Sequence, residues 1–330
     1  MLRSGDRAVG HRPGTALLRL RRRLGALFVL CLCGVHLAGL AGCKTNQATG
    51  RSQYDHWSRE QEIAVGTEAM RELIPEYGGR YPSPQLDGYV AEVGLRMAAL
   101  VEDPEKQSLP WEFVVLDSEI INAFALPGGK IFVSRGLLQQ MESEAELAAV
   151  LGHEIGHVTA EHAEQRIGRQ LGANVFLTGL GIAGGAVGGG GTAAVIQASQ
   201  VIVQQGTGLF LLKYSRGEES EADSLGVRYM VAAGYNPRGM LDLLGILNAA
   251  SQGDKGWELL ATHPYPETRL REIRRLIDET PAYASAEASG AAIVGSDRWK
   301  QRALPYLPGR TVALLPPGAT CWCGGSHEHH

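Results

Sequence analysis

The helix written into residues 145–167 leaves the rest of the chain few alternatives. From Ala145 to Ile167 apolar residues recur at helical spacing, and Gly152-His153-Glu154-Ile155-Gly156-His157 stands in their midst. Ser143, with Glu146 three residues on, has the form of a capping box opening that helix. Glu154 is the only charge between Ala148 and Val158. An ionised carboxylate is not buried in so apolar a helix without a partner or a task.

Residues four apart on a helix share a face, so His153 and His157 can both aim an imidazole nitrogen at one ion. Two such histidines around an intervening glutamate suit zinc. Glu154, one step round, sits beside the metal and suits a general base toward zinc-activated water. Two histidines four apart can also be plain surface residues. Gly152 and Gly156 weaken the helix, and they leave room for something to approach closely. A catalytic zinc wants a third protein ligand. A histidine at the metzincin position would fall on Ala163; His162 is one residue off and points elsewhere. No acidic residue lies between Glu164 and Glu218, which excludes a glutamate shortly downstream. The first candidates are Glu218, Glu219, Glu221 and Asp223, and spacing alone does not choose among them.

HExxH followed after a long insert by ExxxD resembles the zinc metallopeptidase family of HtpX and the CAAX prenyl proteases, metallopeptidase family 48, of gluzincin type. Glu219 and Asp223 fit ExxxD within Tyr-Ser-Arg-x-x-Glu-x-Glu-Ala-Asp-x-x-Gly-x-x-Tyr-Met, which begins at Tyr214. Asn122-Ala123-Phe124 with Pro127-Gly128-Gly129, and His263-Pro264 with Arg269 six residues after the histidine, are similar to two further family stretches. The resemblance implies one zinc ion with Glu219 as third ligand. Asp223, one turn beyond Glu219, is placed to orient a ligand, and Arg269 to pair with Asp223. It implies that His263 donates to the oxyanion, or ligates zinc while substrate is absent. A loop histidine can equally be structural. Asn122, Ala123 and Phe124 would hold an extended substrate along an edge strand; otherwise Asn122 only shapes a turn. Glu221 points to another face, toward solvent.

Residues 1–42 read as a lipoprotein signal peptide. Seven arginines precede the uncharged run Leu24 to Leu40, and Leu40-Ala41-Gly42-Cys43 matches a lipobox, which would place a lipid on Cys43. The other reading is an uncleaved membrane anchor. Without its leader the chain keeps 24 basic and 34 acidic residues, a net charge near −10, which argues against nucleic-acid binding. Of five cysteines, Cys31 and Cys33 fall in the leader, so no disulfide framework serves the core.

Helices are expected over Asp55 to Glu76 and Gln85 to Leu100. Strands are expected over Trp111 to Leu116, Ile120 to Leu126 and Lys130 to Val133. Residues 170–212 carry no charge and include four glycines at 188–191; they suit a helical hairpin with a mobile tip, a lid, or a membrane contact. Further helices are expected over Gly217 to Ala233 and Arg238 to Ala250. Beyond residue 280 the patterning fades. Ala284 to Ala292 suits a linker, Thr311 to Leu315 a short strand. Cys321 to His330 suits a disordered tail or a second metal site.

The expected fold is α+β and mainly α-helical. A zincin-like metallopeptidase core fills 43–280, with a small β-sheet before the HExxH helix, and 281–330 form a partly disordered extension. The CAAX enzymes' membrane spans are missing, so the chain resembles a lipid-anchored, single-domain branch. The expected function is a zinc endopeptidase acting on misfolded or stalled envelope proteins at the periplasmic face of the outer membrane, held there through Cys43. The alternative is a periplasmic chaperone or assembly factor for outer-membrane proteins with little proteolysis. A lipoprotein holding structural zinc fits less well, since such a site has no need of Glu154. Extended or unfolded polypeptides are the expected partners in either of the first two cases.

Overall fold

The computed structural model describes residues 43–54, 57–169, 213–251, 258–264 and 266–308. The leader, the uncharged segment 170–212, the strand expected at Thr311 to Leu315 and the cysteine–histidine tail lie outside these residues. The chain divides into two compact units. One takes the chain up to Thr45 together with Ser52–Asp55. Its described part is an antiparallel pair, β1 (Cys43–Thr45) and β2 (Ser52–Tyr54), with Lys44 opposite Gln53. The other takes Asn46–Arg51 and everything from residue 56 onward, and it holds the candidate site.

In the larger unit, α1 (Arg59–Glu76) opens on a reciprocal capping box between Ser58 and Gln61. Helix α2 (Pro84–Ala98) opens on Ser83 with proline at its first position, where the missing N–H costs nothing. A three-stranded sheet follows: β3 (Glu112–Leu116), β4 (Ala123–Leu126) and β5 (Lys130–Ser134) in the order β3-β5-β4. β5 runs parallel to β3 and antiparallel to β4, so β4 is an edge. β4 begins three residues later than the sequence suggests. Ile120 is exposed, and Asn122 gives its N–H to the Ser134 hydroxyl at the mouth of the pair. Gly128 and Gly129 close the β4–β5 turn at φ of 72° and 76°, which glycine adopts without strain.

Both faces of this sheet are buried, and alternation assigns them. Val114, Leu116, Phe124 and Phe132 pack with Val65, Ala69 and Leu73 of α1. Phe113, Val115, Ala125 and Ile131 face the larger core, which includes α2 and α3 (Glu144–Thr159). The sheet is thus the middle layer, and the HExxH helix lies directly on one face of it.

Helix α3 ends at Thr159, short of the expected Ile167. Glu161 takes φ of 59°, and the chain turns before becoming helical again over 162–169. Two distant groups hold that break: Lys106 Nζ lies 3.1 Å from the Glu161 carboxylate, and Asn46 Nδ2 donates to the Thr159 carbonyl at 2.8 Å. The cap at Ser143 is present. However, Glu146 accepts from the Glu142 N–H and the Ser143 hydroxyl, so the box closes one residue further out.

Among the described residues three more long helices follow: α4 (Arg216–Ala232), α5 (Arg238–Ser251) and α6 (Pro266–Glu279). Helix α4 crosses α3 where small residues meet. A side chain at Gly156 would meet the Ala222 carbonyl oxygen at 2.7 Å, and one at Gly226 would meet the His153 nitrogen at 3.0 Å. Residues 281–308 join the same core. The helix Pro281–Ala288 takes in the first part of the linker expected over Ala284 to Ala292, and Trp299 is fully buried with its ring N–H on the Met141 carbonyl. The fold is α+β and mainly helical, with a zincin-like core. Among the described residues, no helix is long and apolar enough to cross a membrane.

Candidate metal centre

The glycine-lined crossing of α3 and α4 brings Glu219 of α4 over the two histidines of α3. His153 Nε2 and His157 Nε2 lie 3.0 Å apart. Glu219 Oε1 is 3.5 Å from His157 Nε2, and Oε2 is 3.8 Å from His153 Nε2. His263, just past the short helix Glu258–Thr262, inserts its Nδ1 2.9 Å from Glu219 Oε1 and 3.2 Å from His153 Nε2. One potential ligand atom from each of these four buried side chains falls within 4.8 Å of the others.

Two of the neighbouring acids are excluded from this group by local structure. Glu218 completes the Ser215 capping box of α4 and pairs with Arg169. Glu221 is not free in solvent as the sequence suggested. Its carboxylate accepts from His162 at 2.9 Å and from Arg51 at 2.5 Å, because the Asn46–Arg51 segment lies alongside it.

The surroundings fix how the ligands present themselves. Arg269 grips Asp223 with Nε and Nη2, each at 2.7 Å. Burial pushes the Asp223 carboxyl up, but the guanidinium outweighs it and holds the group below the usual range. An ionised Asp223 can only accept, so His153 donates its Nδ1–H across 2.8 Å and turns a lone pair on Nε2 inward. Arg269 Nη1 also stands 2.5 Å from Glu219 Oε2, but off the hydrogen-bonding direction, so that oxygen has a charged neighbour and no aligned donor. Burial raises Glu219, yet His263 and Arg269 hold it well below the carboxylate range. Burial lowers His157 well below the usual imidazole value.

These observations fit a zinc site. A lone pair of His153, an imidazole whose burial disfavours a second proton, and an anionic oxygen without a donor converge on one point. Histidine nitrogen and carboxylate oxygen are ordinary zinc ligands. His263 Nε2 and Glu154 Oε2 are also buried without hydrogen-bond partners. Burial raises the proton affinity of Glu154 above the ordinary carboxylate value, against the pull of His263 and His153. Its Oε1 is 3.7 Å from His263 Nε2. Burial opposes protonation of His263, but Glu219 and Glu154 more than compensate and raise it.

Of the proposed substrate residues, Asn122 is buried and its Nδ2 points to the Tyr77 hydroxyl at 3.4 Å. Phe124 stacks on Phe132 at 4.8 Å inside the core. Neither side chain faces the metal group, which leaves the backbone of the edge strand. The end of β4 and His157 line one recess, with Leu126, Pro127, Val158, Glu164 and Tyr214 among its walls, and it has no room for a water molecule.

Two contributors were not legible. Tyr214 stacks on His157 with ring centres 3.9 Å apart, and His162, which the sequence suggests points elsewhere, faces His157 Nδ1 at 2.8 Å because the chain turns at Glu161. Their signal was present only as position: Tyr214 opens the ExxxD run, and His162 lies just past the motif.

Residues 84–277, well over half of the chain, match Peptidase family M48. The chain is 30% identical over 243 residues to the beta-barrel assembly-enhancing protease of Yersinia pestis, covering 70% of this chain and 47% of that one. It is 32% identical over 240 residues to the mitochondrial metalloendopeptidase OMA1 of Schizosaccharomyces pombe, covering 70% and 65%. It is 35% identical over 196 residues to the mitochondrial metalloendopeptidase OMA1 of Arabidopsis thaliana, covering 57% and 37%. The chain spans 37% to 65% of the length of these three relatives.

Proposed function

The chain belongs to peptidase family M48, and from that premise we propose that it is a zinc-dependent endopeptidase with one zinc on His153, His157 and Glu219. The observation that carries this is the convergence of ligand atoms within 4.8 Å beside a Glu154 oxygen that no donor satisfies. Zinc, when bound, supplies Lewis acidity, polarising the scissile carbonyl and making water acidic near neutral pH. Glu154 takes a proton from the attacking water and passes it to the leaving amine. Its burial suits the first of these steps, since a carboxyl with raised proton affinity accepts the proton readily. Asp223 and Arg269 hold His153 in the tautomer that offers Nε2.

His263 lies among the ligands, which supports a resting state in which it occupies the position substrate will take. When it swings off, its N–H becomes a donor for the oxyanion. Substrate lies extended along β4 and pairs with the backbone of Asn122, Ala123 and Phe124.

We further propose that residues 1–42 are a signal peptide and that a lipid on Cys43 anchors the protein in the cell envelope, at the periplasmic face of the outer membrane. The catalytic core takes in residues 281–308 as well, since Trp299, Ala303 and Leu307 lie in its interior. Misfolded or stalled envelope proteins are the proposed substrates. The Yersinia relative's name, beta-barrel assembly-enhancing protease, supports that class. The same name favours a second reading, an assembly factor in which hydrolysis is rare.

Casein cleavage by the purified protein and by Glu154→Gln separates the outcomes. Wild type is expected to cleave and the variant to lose activity by several orders of magnitude. Equal cleavage by both would refute the role of Glu154. If neither cleaves, but Glu154→Gln restores envelope integrity in a deletion strain, the assembly reading replaces the peptidase.

A further inference from the structure

The two histidines of the HExxH motif are supported in different ways. His153 rests on Asp223 and Arg269, both fully buried. His157 rests on a chain of three groups. Its Nδ1 faces His162 Nδ1 at 2.8 Å, His162 Nε2 faces Glu221 Oε2 at 2.9 Å, and Arg51 Nη2 meets that same oxygen at 2.5 Å.

With His162 neutral, hydrogen bonding fixes where the protons lie. The Glu221 carboxylate, paired with Arg51, accepts only, so His162 carries its proton on Nε2. His162 Nδ1 is then a lone pair. Two nitrogens 2.8 Å apart need one proton between them, and here it belongs to His157 Nδ1. That leaves a lone pair on His157 Nε2, the atom 3.0 Å from His153 Nε2 and 3.5 Å from Glu219. The arm therefore selects the tautomer able to bind a metal. Its position follows from the break after α3: the turn at Glu161 carries His162 back beneath His157. Asn46, bonded to the Thr159 carbonyl, brings the Asn46–Arg51 segment and its arginine to Glu221.

We propose that His162, held by Glu221 and Arg51, is a positioning residue that fixes the tautomer and ring orientation of His157 for zinc. The inference rests on the metal reading above and extends it to three residues that are not among its proposed ligands. The supports are not equal in weight. His162 is buried, whereas the Glu221 and Arg51 side chains are 22% and 53% exposed, and an ion pair so open to water contributes little. The effects are expected to grade from His162 through Glu221 to Arg51.

The test is competition for zinc between a chromogenic chelator and the full-length protein, as wild type, His162→Ala, His162→Gln and Glu221→Ala. Losing such a partner weakens metal binding roughly 10- to 100-fold, and this is the loss expected for His162→Ala. Glutamine carries an acceptor and a donor on one carbon, so it can take the His157 N–H and reach Glu221. His162→Gln is therefore expected to bind within a few-fold of wild type. Glu221→Ala, on the outer side of α4, should weaken binding in the same direction but less, and it carries the test if His162→Ala does not fold.

Wild-type affinity in both His162→Ala and Glu221→Ala would overturn the proposal and leave the metal centre intact. Equal weakening in His162→Ala and His162→Gln would also overturn it, since packing rather than hydrogen bonding would then be what matters. A wild type that binds no zinc would overturn it together with the metal reading, and only that result does so.

Discussion

Arg269 has two carboxylates to neutralise and almost no water with which to do it. It grips Asp223 with two nitrogens and stands against Glu219 with the third, all three groups being buried. Removing one partner from such a set leaves uncompensated charge, at a cost of about 3–5 kcal/mol. Arg269→Ala is expected to lower the thermal midpoint of the zinc-free protein by that equivalent, and calorimetry reads it. An unchanged midpoint would mean that water already reaches these carboxylates. At this scale the sequence was informative where spacing is local and silent where it is not. His153, Glu154 and His157 declare themselves within one and a half helical turns. Glu219 could not be chosen over Glu218 by counting. What separates them is that Glu218, at the third position of α4, is taken by the cap of its own helix. Glu221 was misread because Arg51, its partner, lies 170 positions away.

Helix α3 is held at both ends by polar groups rather than by apolar packing alone. At its start, burial pushes the Glu146 carboxyl from 4.5 to about 7, against the bonds it accepts from Glu142 and Ser143. The folded chain then holds a proton that the unfolded chain releases between those two values. Stability therefore falls as pH rises through that window. Glu146→Gln keeps the volume and much of the cap but cannot titrate, so its stability is expected to be flatter across the same window. Unfolding in urea at several pH values measures this, and parallel curves for the two proteins would count against it. At the far end, periodicity carried the helix to Ile167, whereas the chain stops it at Thr159. The residues that stop it, Lys106 and Asn46, are remote in sequence, and no local pattern announces them. The small residues at the crossing with α4 were legible as room for an approach; that α4 is what approaches was not.

Over the whole molecule, the order of elements was readable because each has its own periodicity and punctuation. Three short strands, the last two joined through Pro127-Gly128-Gly129, then the apolar helix, then the ExxxD helix, are layered as sheet, α3 and α4. The reach of the core was less legible. Residues 281–308 lack a long periodic run, yet Trp299, Ala303 and Leu307 complete the interior. A single tryptophan in a polar helix gives little sequence signal.

All of this structure serves one claim, that the α3–α4 crossing makes a zinc site from His153, His157 and Glu219. Counting zinc per chain after exhaustive dialysis tests it most directly, in wild type, in His157→Ala and in Glu219→Gln. The expected result is one zinc per wild-type chain and far less than one in either variant. Wild type without zinc, or variants that keep a full equivalent, would contradict it.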